Sequence, residues 1–357
     1  MCADLSVKSA LFPDPAFSAN IYCAGRLDEV IHRVLAPFWA AAGRQEKGAY
    51  LWLMRYAKTG EHLKLRLHGP AGAEKLIEKL GAELERYFGE LPPAEPEAVR
   101  KSTPTATPID AEDQEPQDQP DRSWRPTRYK RSAIPFGYSP WVDDPVYVAL
   151  MTRAFAAGTE SLFGKLATGA DGRAPHSLVQ GLLIQAILDG LAALGLGAAE
   201  RGDYLAYHRD WLLRATLKNT AASAVGPEKM AELVARFDRQ AAGLGDAALA
   251  RIGEAARRRF ASEAADEARN PWQVALAELR AYVDGAAGEP RRHIDPFADD
   301  PRFPPFFKAF HVFANQLGLN PLNEAFAHHL LLRAAVDGKD APPRPVVLRP
   351  RFRSAVA

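Results

Sequence analysis

The chain has 357 residues, 47 % apolar and 25 % charged, with 45 Lys and Arg against 44 Asp and Glu for a net charge of +1. That balance argues against direct nucleic-acid binding, which needs a cationic surplus to neutralise phosphates. No apolar run approaches the roughly 20 residues of a membrane-spanning helix. Two cysteines, Cys2 and Cys23, are too few for a disulfide framework or a Cys-rich zinc site. Residues 1–10 lack the apolar core of a secretory signal, so a cytoplasmic protein is expected.

Residues 19–22 read as a short strand. Leu27, Val30, Ile31, Val34, Leu35, Phe38 and Trp39 then recur with helical spacing. Tyr50–Tyr56 (YLWLMRY) is apolar on both faces and reads as a central strand. After a short turn, residues 61–68 alternate strictly. Leu63, Leu65 and Leu67 share one face; His62, Lys64, Arg66 and His68 share the other. The pair is a predicted antiparallel β-hairpin. A helix with Leu76, Ile77, Leu80, Leu84, Tyr87 and Phe88 on its apolar stripe follows. Residues 91–128 carry prolines at 92, 93, 96, 104, 108, 116, 120 and 126 and many acids. They have too little apolar surface to offset their ordering entropy and read as a disordered loop.

The rest is predicted to be helical, near 145–167, 176–194, 203–218, 227–241, 246–267, 271–284 and 305–317, with Gly318 as a C-cap. Asn320 and Pro321 restart a helix to about 336. The expected class is α+β: an early antiparallel sheet with flanking helices, then a largely helical C-terminal region. The whole chain reads as a single domain over 1–357 interrupted by the 91–128 loop. Phosphate-loop and HExxH motifs are absent. His208-Arg209-Asp210 falls inside a helical pattern and reads as surface chemistry. His328 and His329 are adjacent on a helix, diverge by about 100°, and make a poor pair of ligands for one metal ion.

Two segments carry chemical information. Lys64 and Arg66 stand side by side on one strand face, about 7 Å apart. With His62 and His68 they form either a receptor for carboxylate or phosphate, or a solvated sheet face. His311 sits at the edge of the apolar stripe formed by Phe303, Phe306, Phe307, Phe310, Ala314 and Leu317, with Asn315 one turn on. It is either a boundary histidine or a proton-transfer group.

Arg55-Tyr56, then Gly60-Glu-His62-Leu-Lys64-Leu-Arg66-Leu67, resembles the "RY…G-x-HLRLR" signature of the lantibiotic dehydratase C-terminal domain, which also occurs in thiopeptide-type bacteriocin biosynthesis proteins. Phe310-His311-Val-Phe-Ala-Asn315-Gln316-Leu-Gly318 is similar to that family's "HMhxNRLG" helix. The resemblance implies action on a ribosomally made precursor peptide, leader plus core. Two reactions are implied: glutamate elimination from glutamylated Ser or Thr, or joining of two dehydroalanines into a six-membered ring with leader expulsion. It implies His311, Arg66 and Lys64 as catalytic residues, and Arg55, His62, Asn315 and Tyr129 as substrate-binding ones. No cofactor or metal is implied. A separate large dehydratase would perform any glutamylation. Elimination relatives carry a "YxxExxRYGG" segment; here Ser132 and Pro135 stand in place of its Glu and Arg, and Gln316 replaces the arginine of the helix motif. These departures leave room for a second reading, a non-catalytic peptide-binding subunit whose hairpin edge pairs with a leader strand.

Overall fold

The computed structural model describes residues 17–41, 48–56, 61–69, 74–91, 121–128, 141, 144–169, 172–220, 227–261, 270–286, 300 and 302–337. These fall into two compact units, one drawn from Met1–Gly137 with Asp143–Val179, the other from Tyr138–Val142 with Gln180–Ala357.

In the first unit, β1 (Phe17–Tyr22), β2 (Tyr50–Tyr56), β3 (His62–His68) and β4 (Ser123–Arg128) form an antiparallel sheet ordered β2-β3-β1-β4. Ala19 lies opposite Leu65, Ile21 opposite Leu63, and Leu53 opposite Leu65. The apolar side chains therefore collect on one face, and a one-residue slip would exchange them for the charged set. The helical part of this unit comprises α1 (Leu27–Val30), a π-helical turn at Ile31–Leu35, α2 (Ala36–Ala41), α3 (Glu74–Glu90) and α4 (Pro145–Phe163). Val30, Ile31, Leu35, Leu76, Leu80 and Leu84 are buried.

Two expectations change here. β2 is an edge strand, not a central one. It is apolar on both faces because α4 runs beside it: the Leu53 N–H donates to Thr159 Oγ1 at 3.3 Å, and Trp52 meets Phe155 with ring centroids 5.3 Å apart. The last residues of the 91–128 stretch are strand, since Ser123–Arg128 pairs with β1. Trp124 anchors it on α3, where a Cβ on Gly81 would lie 2.0 Å from the indole. Residues 92–120 of that stretch lie outside the described residues.

The second unit is helical: most of α5 (His176–Ala193), then α6 (Ala198–Thr220), α7 (Pro227–Gly243), α8 (Asp246–Ala261), α9 (Pro271–Gly285), α10 (Phe303–Gln316) and α11 (Pro321–Leu331), which ends in a π-helical turn at Leu332–Asp337. Among the described residues, α5 alone is long and apolar enough to cross a membrane by length and composition. Its Leu183, Ile187, Leu188 and Leu191 are buried in the protein interior, and its Asp189 ion-pairs with Arg259 at 2.8 Å. Aromatic rings fill the core, with Trp272 meeting Phe310 edge-on at 5.7 Å and Tyr204 meeting Phe303 at 5.3 Å. Gly190 of α5 is required for this packing, because a Cβ there would lie 2.3 Å from the Phe310 ring.

Local signals fix the α10–α11 corner. Gly318 has φ +78° and donates its N–H to the Asn315 carbonyl at 2.9 Å, while the Leu319 N–H reaches the Ala314 carbonyl at 3.0 Å. This is the Schellman pattern, which favours glycine at its left-handed position. Asn320 caps α11 by accepting from the Asn323 N–H at 2.9 Å, with Pro321 in the first turn. The expected α+β class, with an early sheet and a helical C-terminal region, is the observed one.

Candidate active site

The polar face of the sheet is built from β3 and its neighbours. Lys64 lies between Asn20 and Met54, Arg66 between Ser18 and Trp52, and His62 between Tyr22 and Tyr56. The β3 members of this face are buried, Lys64 at 4 % exposure and Arg66 at 6 %, while Met54 and Tyr56 of β2 are partly exposed. The solvated-face reading is therefore excluded. The Lys64 Nζ lies 4.1 Å from the centre of the Tyr56 ring, a cation–π contact. Tyr22 and Tyr56 both stack on His62, at 4.9 and 5.6 Å. His68 accepts a hydrogen bond at Nε2 from the Trp52 indole N–H at 3.1 Å. Burial, followed by the charge of Arg66, pushes its pKa down to about 4. His68 is thus neutral near pH 7, and it adds polarity but no charge to the face.

Arg55 belongs elsewhere. Its register partner is Leu63, so it stands on the opposite side of the sheet from Lys64 and Arg66. There it pairs with Asp28, whose other oxygen accepts from the Ala174 N–H at 2.8 Å. Tyr129, Ser132 and Pro135 lie outside the described residues.

In the second unit, His311 is part of a hydrogen-bonded chain. Its Nδ1 lies 2.7 Å from Glu324 Oε2; Glu324 Oε1 lies 2.7 Å from His208 Nε2; His208 Nδ1 lies 3.0 Å from the Tyr204 hydroxyl. The Glu324 side chain is 1 % exposed and that of His311 is 31 %. Burial raises the Glu324 pKa, but His311 and the hydrogen bonds from His208 and His311 more than reverse this, and the carboxyl stays well below the usual range. An ionised carboxylate only accepts hydrogen bonds, so both histidines direct N–H groups at it. Burial holds the Tyr204 pKa well above its ordinary value, so its hydroxyl donates to His208. His208 is pushed down, first by burial, and takes the neutral Nε2–H form.

The consequence falls on His311. With Nδ1–H committed to Glu324, the neutral imidazole keeps its lone pair on Nε2. Phe307 stacks on the His311 ring at 5.6 Å, 14° from parallel, and fixes its plane. A partly open imidazole oriented by a buried carboxylate is the arrangement a general base requires.

Three contributors escaped the sequence reading: Glu324, His208 and Tyr204. The His208-Arg209-Asp210 triplet is not surface chemistry, since the three residues are 0, 1 and 2 % exposed. Arg209 pairs with Asp210 at 2.7 Å inside the bundle. His328 stacks on His208 at 3.7 Å, while His329 lies 3.2 Å from Asp238, so the two neighbours have separate partners. Asn315 is partly exposed on the same helix as His311.

The helical unit thus holds a histidine oriented by a buried carboxylate, and the sheet of the other unit carries Lys64 and Arg66 on one face. Residues 17–336 match the family model for the lantibiotic biosynthesis dehydratase C-terminal domain, and the chain belongs to that family. Its fold is similar to that of the pyridine synthase TbtD from thiomuracin biosynthesis, with a TM-score of 0.60 at 16 % identity over 91 % of this chain and 98 % of that one. No curated protein matches the sequence.

Proposed function

We propose that this chain is a cytoplasmic enzyme of thiopeptide-type bacteriocin maturation that joins two dehydroalanines of a precursor peptide into a six-membered nitrogen ring and expels the leader. The observation that carries the reading is the Glu324-oriented His311, which stands in the helix motif through which the sequence resembles the family. Family membership and the fold shared with a pyridine synthase support it. Ser132 and Pro135, in place of the Glu and Arg of elimination relatives, favour cyclisation over glutamate elimination.

The reaction is a sequence of proton transfers and needs no cofactor. A backbone amide first shifts its proton from nitrogen to oxygen, giving the azadiene. His311 serves that exchange, because an imidazole near neutral pH both accepts and returns a proton. Two carbon–carbon bonds then close the ring onto the second dehydroalanine. Loss of water from the former amide carbon, and of the leader as a carboxamide, leaves the aromatic ring. Lys64 and Arg66 serve peptide binding, with carbonyl or carboxylate oxygens as their partners. Lysine keeps the charge of the family's first arginine without its bidentate fork. The partner is the precursor peptide, prepared by a separate dehydratase.

Mass spectrometry of the dehydrated precursor, incubated with and without the protein, tests this. Release of an intact leader carboxamide with a cyclised core is expected. Loss of glutamyl groups would establish elimination instead. A peptide that binds and stays unchanged would establish a non-catalytic subunit.

A further inference from the structure

We propose that Lys308 is a second proton-transfer group beside His311, the acid that protonates the departing leader nitrogen. This rests on the proposed cyclisation and deepens it.

Of the fourteen residues of α10, eleven are buried, and those that keep partial access to solvent are Lys308, His311 and Asn315. They follow one another at i, i+3 and i+7, which places them along a single line of the helix. Apolar residues otherwise dominate this stretch, with Phe303, Phe306, Phe307 and Phe310 all buried. Lys308 is the one Lys or Arg of this helix, and the buried rings around it limit the hydration of its ammonium. Burial pushes the Lys308 amine down to about 8, a shift that the negative charge of Glu324 partly opposes. The titratable groups that neighbours bring against α10 are Glu324 of α11 and Tyr204, Tyr207 and His208 of α6, with His328 of α11 stacked behind His208. Tyr204 keeps its proton and both of those histidines are pushed down by burial, so Glu324 is the charged member of the set.

Leader expulsion requires an acid and a base in one step, and a single imidazole supplies one of them. The bond from ring carbon to leader nitrogen breaks, and its electron pair leaves with the nitrogen. The Lys308 ammonium gives that nitrogen a proton. His311 Nε2 takes a proton from the adjacent ring carbon, and the C–H electrons form the new ring double bond. The imidazolium then returns its proton to the Lys308 amine through solvent, so atoms, charge and electrons balance.

An acid works only while protonated, so the wild-type rate should fall as pH rises through about 8. Single-turnover rates on the dehydrated precursor, from about pH 6 to pH 9.5, read this in wild type, Lys308→Gln and Lys308→Arg. Both variants should lose roughly 100-fold in rate and lose that alkaline limb. Peptide Kd should stay within about threefold and melting temperature close to wild type. Arginine keeps the charge and gives up no proton, so recovery of the rate in Lys308→Arg would overturn the proposal. So would an unchanged rate and pH profile in Lys308→Gln. An inactive wild type would overturn the cyclisation reading on which this role rests, a result distinct from an active wild type with indifferent variants. Reductive methylation of Lys308, followed by peptide mass spectrometry across pH, gives a readout free of turnover. Half-maximal reactivity near 8 is expected, and a midpoint at the ordinary 10.5 would overturn the proposal in any case.

Discussion

Replacing Glu324 by Gln removes one charge from the centre of the second unit while keeping the side chain's shape. The carboxylate accepts from two imidazoles at 2.7 Å each and is 1 % exposed, so solvent cannot compensate for what is lost. A glutamine amide offers one oxygen and one NH2. One histidine therefore keeps an acceptor and the other meets a donor. Hydrogen bonds to charged groups contribute about 1.5–3 kcal/mol, and a misfitting buried donor adds to the loss, so we expect about 3 kcal/mol of destabilisation. For a cooperative unit of 150–250 residues that is about 6–12 °C in Tm. The pH dependence has a definite sign. The folded pKa of Glu324 lies below its unfolded 4.5, so the stabilisation is complete above pH 4.5 and is lost as pH falls below it. Glu324→Gln should lack this acid slope. If the NH2 faces His311, the imidazole must put its proton on Nε2, and turnover should fall by roughly 100-fold or more. Thermal melts at pH 7 and pH 4, with single-turnover rates, measure both effects. A Tm within about 1 °C of wild type together with an unchanged rate would refute the relay.

Three further outcomes follow from the same geometry. Gly190→Ala places a Cβ 2.3 Å from the Phe310 ring on the helix that carries His311, so a loss of about 1–3 kcal/mol is expected in urea unfolding, and an unchanged midpoint would contradict the packing. His68 has a folded pKa of about 4 against 6.5 unfolded, so its contribution is present above pH 6.5 and declines as pH falls towards 4, by up to about 3 kcal/mol. His68→Gln, whose amide oxygen can accept the Trp52 bond, should flatten that part of the stability–pH curve; a curve identical to wild type would show that His68 is not the group responsible. Arg66→Lys keeps the charge of a residue only 6 % exposed and gives up the fork, so it should raise the KM for precursor more than it lowers Tm, and equal loss of both would make Arg66 structural.

Short-range signals were the legible part of the molecule. The alternation at residues 61–68 named the two faces of β3, and Gly318, Asn320 and Pro321 marked the α10–α11 corner from local backbone preferences. Contacts distant in sequence were not legible. Glu324 looks like an ordinary acid in the first turn of a helix, where it complements the dipole. Its hydrogen bond to His208 spans 116 residues and exists only because α11 lies along α6. The same packing buries His208-Arg209-Asp210, which helical periodicity alone could not distinguish from an exposed triplet. β4 was hidden because Pro126 and flanking arginines give it a loop's composition, while Trp124 on Gly81 is a tertiary match. β2 resembled a central strand because α4 supplies at its edge the cover a neighbouring strand would give.

The most direct test is conversion of the dehydrated precursor by wild type and by His311→Ala, read by mass spectrometry alongside peptide affinity. We expect wild type to release the leader carboxamide and cyclise the core, and His311→Ala to bind the peptide within about threefold of wild type and leave it unconverted. Conversion by His311→Ala at the wild-type rate would contradict the assignment of proton transfer to the Glu324-oriented imidazole.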